Sequence, residues 1–285
     1  MTDQWLPPEI EQQIQQRDTT GVRQALTVLE PAELGRLLNS LDPDSGLFVF
    51  RALPRENAAR AFAHLEHERQ LELLQRLPAD GDRLAQLLND LSPDDRTAFF
   101  AELPDTDLQR FLAILEPSER RSAERLLGYP EQSVGRLATT DYLAVRAAWT
   151  VAQALRHIRR FGRDSETINM IYVVDDDWKL VDDLRIREIL LAEPEAGIAT
   201  LMDRRFVALS ALDDQETAVR NFLEYDRATL PVIDTDGVLV GIVTSDDVLD
   251  VAEEEATEDI HLLGCREALD APYLSLPLLQ LIKKR

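Results

Sequence analysis

Leucine returns every twelve residues through the first part of this chain. Leu29, Leu41, Leu53, Leu65 and Leu77 keep the interval, and after a two-residue insertion Leu91, Leu103, Leu115 and Leu127 resume it. Most of these leucines precede a helix-start signal: LEPAE, LDPDS, LPREN, LSPDD, LPDTD and LEPSE. Proline suits the first position of a helix, where its missing N–H would have no partner, and Asp42 or Ser92 just before it can accept from free backbone amides. The segment 25–127 therefore reads as helices of about two turns, joined by tight turns and stacked into an α-superhelix. In such an array each apolar face is covered by neighbouring repeats. Arrays of this kind supply binding or scaffold surfaces, and nothing in this one has a catalytic pattern. Ser92-Pro93-Asp94-Asp95 carries two readings. It is a capping box, with Asp95 three residues after Ser92, or it projects Asp94 or Asp95 to share a cation with another domain.

With 285 residues the chain has room for two or three cores, and its net charge of −22 is spread along it. Residues 1–130 hold 14 basic against 23 acidic side chains, and residues 131–285 hold 17 against 30. Two acidic halves repel each other at low ionic strength. The basic footprint that nucleic acid requires is missing. A single cysteine, Cys265, excludes an intramolecular disulfide framework and fits a reducing compartment. His64, His67, His157 and His261 are scattered and have no zinc-site spacing. No nucleophile–base pair, Walker loop or dinucleotide fingerprint appears, so the expectation is a non-enzyme. The start, MTDQWLPPEI, lacks a signal-peptide pattern, and no run approaches the 18 or so apolar residues of a membrane span. From Pro272 the sequence PYLSLPLLQLIKKR ends on three cations. That reads as the basic border of a membrane span or as a cationic helix end favoured by the dipole.

Between Gly241 and Gly264 stand eight carboxylates and no lysine or arginine, in GIVTSDDVLDVAEEEATEDIHLLG. Helical spacing after Thr244 puts Asp247, Asp250, Glu254 and Glu258 on one stripe, with Val248, Ala252, Ala256 and Leu263 opposite and inward. Like charges at this spacing cost a few tenths of a kcal/mol per pair. Such a stripe is a well-solvated face or the wall of a cation site.

From Gly135 the pattern changes to strands alternating with helices. Asp141–Val145 is a short extended run, Val151–Arg160 a helix with Ala152, Leu155 and Ile158 inward, and Met170–Val174 a buried strand. An acidic turn and a helix around Leu184–Leu191 follow. A second copy has a strand at Phe206–Leu209, a helix at Gln215–Tyr225, and strands in LPVI and at Val238–Val243. The turn Asp234–Gly237 joins those two strands, and a helix from about Ser245 closes the unit. Met202, the helix AVRNFLEYD, LPVID, Gly237 and GIVTSDDV make residues 200–251 resemble the cystathionine-β-synthase (CBS) domain, which occurs in tandem pairs. The resemblance extends more loosely to 135–192. In such pairs this element binds adenine nucleotides, which the resemblance implies for Thr244 and Asp247. In the first copy Arg185 replaces the hydroxyl residue and Glu188 the acid. Thr244 and Asp247 also suit the N-cap and third position of a helix.

The whole arrangement, with VLDVAEEEATEDIHLLG and EALDAPYL, resembles the cytosolic half of the MgtE family of magnesium channels and transporters. The resemblance implies an amino-terminal superhelical domain over 1–130, CBS domains over 131–199 and 200–257, and a connecting helix over 258–285. A membrane pore domain would follow Arg285, so a fragment is expected. It implies a CBS-mediated homodimer at the cytoplasmic face of the cell membrane that senses Mg²⁺, with ATP as a further ligand. The implied metal ligands are Asp94, Asp214, Glu216, Asp226, Asp247, Asp250, Glu255, Glu258 and Asp259. Arg60 and Ala98 stand where further acids would help, so fewer ions are expected to bridge the domains. Mg²⁺ is hard and keeps its water, which suits shared carboxylate sites. A soluble nucleotide-responsive CBS module regulating a separate partner, and a helical scaffold resembling motor-switch proteins, are the other readings.

Overall fold

A computed structural model describes residues 8–77, 82–253, 255 and 256. Ten short helices come first: α1 (Pro8–Gln15), α2 (Thr19–Leu26), α3 (Pro31–Ser40), α4 (Pro43–Ala52), α5 (Arg55–Ala63), α6 (His67–Arg76), α7 (Asp82–Asp90), α8 (Pro93–Ala101), α9 (Asp105–Ile114) and α10 (Pro117–Leu127). Packing of helices on the next but one, as in α3 on α5, α5 on α7 and α8 on α10, winds them into a superhelix. The leucine beat marks the seams. Leu53, Leu65, Leu77, Leu91, Leu103 and Leu115 are buried, and Leu29, Leu41 and Leu127 are partly so. Phe50, Phe62, Phe99, Phe100 and Phe111 form a chain of ring contacts through the same core, with Phe62 and Phe99 edge-on at 5.4 Å. Pro31, Pro43, Pro93 and Pro117 open their helices as expected. Pro54 and Pro104 instead stand one position earlier, as the capping residues of α5 and α9, because their extended backbones lie outside the helical region.

The remainder forms two three-stranded sheets. In the first, β1 (Ala144–Arg146) runs parallel to β2 (Met170–Val174), which pairs antiparallel with β3 (Leu180–Arg185). Helices α11 (Val151–Phe161) and α12 (Ile186–Leu191) belong to this unit. The second unit repeats the order, with β4 (Leu209–Ser210), α13 (Gln215–Tyr225), β5 (Thr229–Ile233), β6 (Leu239–Thr244) and a helix over 245–253, here α14. The strand expected at Phe206–Leu209 is confined to Leu209–Ser210. On α11 the inward residues are Val151, Ala154 and Ile158, while Ala152 and Leu155 are only half-buried. On α14 Val248 and Val251 are buried, Ala252 is half-buried and Ala256 is exposed; the apolar face ends at Val251 rather than continuing through Ala256. Leu263 lies outside the described residues.

The two units interleave. The short turn Val134–Arg136 bonds to the second unit, with Val134 N–H donating to Asp213 O at 2.8 Å and Thr139 pairing with Ile242. The turn Ile198–Thr200 packs on the first unit, where Ile198 N–H donates to Trp149 O at 2.8 Å. Gly241 lies where the 138–139 segment crosses β6, and a Cβ there would meet Thr139 O at 2.8 Å and Ala138 Cβ at 3.0 Å. Gly241→Ala should therefore destabilise by roughly 1–3 kcal/mol through overpacking. Denaturant unfolding with a loss below about 0.5 kcal/mol would contradict that packing account. The amino-terminal domain is joined to the pair by Leu126, buried among residues of the second unit, and by Arg125, whose guanidinium donates to Val240 O at 3.0 Å.

Candidate functional site

The site begins at the start of α8. Ser92 Oγ accepts from Asp95 N–H at 3.4 Å and lies 2.6 Å from Asp95 Oδ2, to which its hydroxyl donates. Asp95 is thereby tied to the helix start, and Asp94 is left to face the two sheet units. Behind them Arg96 is fully buried; it donates to Leu88 O and Leu91 O at 3.2 and 3.3 Å, and to Glu119 Oε2 at 2.6 Å. That bridge holds α10's Glu119 at the rim of the same cleft.

The opposing wall is the junction of β6 and α14. Thr244 caps this helix: its N–H donates to Asp247 Oδ2 at 3.3 Å, and its Oγ1 lies 2.5 Å from Asp246 Oδ1 and 2.6 Å from Asp247 Oδ2. One hydroxyl proton can serve only one of those oxygens at a time. The carboxyls of Asp94 and Asp247 are neighbours across the cleft, and the Asp94 charge raises Asp247. Asp94 Oδ1 is buried there with no hydrogen-bonding partner.

Around this contact opens a cavity of about 990 Å³ lined by eleven acidic residues against three arginines. Asp94, Asp95, Asp246, Asp247 and Asp250 contribute to it, as do Asp141 and Glu166 from the first sheet unit. Burial and crowding of like charge push these carboxyls up. Asp247 is raised to about 8, by burial and then by Asp94. Asp95 rises to about 6 through burial and Asp94, and Asp141 to about 6 through burial and Glu119. Glu166, which keeps an exposed edge, is raised to about 7 by partial burial and Asp94. Burial also raises Asp94, and burial with the Asp246 carboxylate raises Asp250. Arg60 lines the cavity but pairs with Glu56 at 3.5 Å, and Ala98 is exposed outside it.

Of the residues proposed from sequence, Asp94, Asp247 and Asp250 are thus brought together. Asp214, Glu216 and Glu255 collect at the start of α13. Asp214 caps that helix by accepting from Glu216 N–H at 2.9 Å, and the intervening Gln215 donates to Glu255 Oε1 at 3.2 Å. Glu216 is also paired with Arg220 at 3.4 Å. Asp226 ends the same helix in a left-handed conformation (φ 49°). The helix length separates it from Asp214 by about 18 Å. Glu258 and Asp259 lie outside the described residues. Thr244 is buried and committed to its cap, whereas Glu188 is exposed and accepts from Arg185 N–H at 2.9 Å at the start of α12. Asp141 and Glu166 carried no sequence signal: neither lies on an acidic stripe, and only tertiary packing turns them into the cleft. Among the described residues no three His, Cys, Asp or Glu side chains already close on one point.

Residues 29–132 match the model of the MgtE intracellular N domain, and 134–195 and 198–254 match that of the CBS domain. A magnesium transporter MgtE of Thermus thermophilus is 38% identical over 269 residues, covering 94% of this chain and 60% of the relative. One from Bacillus subtilis is 35% identical, covering 78% and 52%. The chain thus spans about half to three-fifths of the length of these curated relatives. A crystal structure of the cytosolic domain of the Mg²⁺ channel MgtE in complex with ATP superposes with a TM-score of 0.81 at 37% identity, covering 86% of this chain and all of that one. The soluble part of a magnesium transporter gives 0.80 at 25% identity, covering 87% and 96%.

Proposed function

This chain belongs to the MgtE family, and we propose that it is the cytosolic Mg²⁺-sensing region of a magnesium channel or transporter, acting as a homodimer through its CBS units below a membrane pore. Mg²⁺ bound between the amino-terminal domain and the CBS pair stabilises their closed association and thereby the closed pore. The observation that carries this reading is the Asp94–Asp247 contact, with its unpartnered buried oxygen inside a cleft of raised carboxyl pKa values. The donors are all hard oxygens, as Mg²⁺ prefers, and the cleft has room for the waters that Mg²⁺ retains. Asp94, Asp247 and Asp250 would hold such an ion, and its charge would replace repulsion across the cleft by attraction. Exposed Leu190, Leu191 and Leu223 on α12 and α13 fit burial against a second copy.

A second reading gives the CBS pair an adenine-nucleotide site, and its support is the ATP complex of the 37%-identical cytosolic domain. Thr244 takes part in it only by exchanging its cap for the ligand. Both readings are tested by small-angle scattering and thermal melting with Mg²⁺ from zero to ~20 mM at constant ionic strength, with and without ATP. Compaction and stabilisation by Mg²⁺ are expected. At ten times Kd each site contributes roughly 1.4 kcal/mol. A shape and melting temperature indifferent to Mg²⁺ would end the sensor reading, and saturable ATP binding lost in Thr244→Ala would favour the second.

A further inference from the structure

We infer that the first CBS unit supplies a third wall of the cation site through Asp141 and Glu166, so that a hydrated divalent cation in the cleft ties the amino-terminal domain to both CBS units at once. This rests on reading the cleft as a cation site, and it goes beyond the two walls formed by α8 and α14.

Asp141 precedes β1 and Glu166 lies in the loop before β2, yet the backbone stitches them together. Glu166 N–H donates to Asp141 O at 2.7 Å, and Ser165 Oγ donates to the same carbonyl at 3.1 Å. The two residues are therefore held together at the backbone, and both line the cavity that Asp94 and Asp247 line. The wall adds Asp164 as a third acid and only one base, Arg163, among the residues facing the cavity. Packed carboxylates alone would be a solvated acidic face. What points to a ligand is Asp94 Oδ1, a buried oxygen of a cavity-lining residue that has no hydrogen-bonding partner, although Ser92 and the backbone amides at the helix start serve the rest of the carboxyl. Neighbouring carboxylates cannot supply that donor except as protonated acids, whereas a cation, or a water it holds, satisfies the oxygen directly. Mg²⁺ keeps several waters and reaches further carboxylates through them, so the Asp141–Glu166 pair need not touch the ion to hold it. Each such contact also fixes the loop 162–166 relative to α8.

The test is the double variant Asp141→Asn/Glu166→Gln in the whole chain. Mg²⁺ is titrated at constant ionic strength and neutral pH, with compaction read by scattering and stability by melting. The Mg²⁺ midpoint should rise by about tenfold, in line with the loss of ligand-supporting groups at metal sites. The metal-free melting temperature should stay level or rise, because two repelling charges are gone. Glu195→Gln, an exposed acid of the same unit that does not line the cavity, should change neither. An unchanged midpoint in the double variant, with a shifted one in Asp247→Asn, overturns the third wall and leaves the cation site standing. Unchanged midpoints in both overturn the cation site itself. Should the double variant melt lower without metal, the single variant Glu166→Gln decides, since it changes the more exposed of the two and leaves the partly buried Asp141 as it is; an unshifted midpoint there counts against the proposal.

Discussion

Asp247→Asn should raise the melting temperature of the metal-free protein at pH 8 and at the same time remove most of its stabilisation by Mg²⁺. The two effects share one cause. Asp247 meets Asp94 across the cleft in a setting that raises its pKa to about 8, so at that pH its charge works against the closed arrangement. An amide removes the charge and keeps an oxygen that can accept from Thr244 N–H, as Asp247 Oδ2 does now. The cap of α14 should therefore survive. Relief of about 1–2 kcal/mol would appear as a gain of roughly 2–8 °C for domains of this size. In wild type, Mg²⁺ at ten times Kd adds roughly 1.4 kcal/mol per site, and the variant should show little of it. Differential scanning calorimetry with chelator and with Mg²⁺ measures both. A variant that melts lower without metal and responds normally to Mg²⁺ would identify Asp247 as a capping residue alone.

Without metal, stability should fall as pH rises from about 5 to 8, the reverse of the usual behaviour of proteins with well-paired carboxylates. The sign follows from where the protons sit. Unfolded carboxyls release theirs near pH 4, whereas folded Asp95 and Asp141 hold them to about 6, Glu166 to about 7 and Asp247 to about 8. Across this window the folded state binds more protons than the unfolded one, so raising the pH favours unfolding. The carboxyls interact, so their shifts do not add. A drop on the order of 5 °C corresponds to one or two kcal/mol. Saturating Mg²⁺ should flatten the slope, since a bound cation takes over from the protons, and Mg²⁺ affinity should increase over the same range. Melting curves at pH 5, 6.5 and 8 with chelator are the check, and a flat or rising trend would contradict the folded-state protonation.

Much of the architecture was legible because it repeats: the leucine interval marks helix seams and Gln215–Tyr225 was delimited to the residue. Asp94, Asp247 and Asp250 were also legible, since each follows a helix-start pattern or lies on the acidic stripe. What escaped was set by contacts between distant segments. The sequence of β3 reads as an acidic turn leading into a helix, because its alternation is broken at Asp182. That residue is fully buried between Leu180 and Leu184, where its carboxylate accepts from Asp183 N–H and Arg204 N–H, both at 3.0 Å. A buried acid satisfied by backbone amides costs little, yet it hides the strand from any hydropathy pattern. Asp141 and Glu166 escaped for the opposite reason. Their local setting is ordinary, and only the docking of α8 against the CBS pair brings them to one cavity.

The interleaving of the two CBS units also bears on how this region can be taken apart. Residues 134–136 complete the core of the second unit, and 198–200 that of the first. Neither unit can be removed or moved alone without opening the other. A chain cut at the repeat boundary yields two halves that each lack a segment packed into their own core. The pair therefore has to be transplanted as one object, although its sequence reads as two.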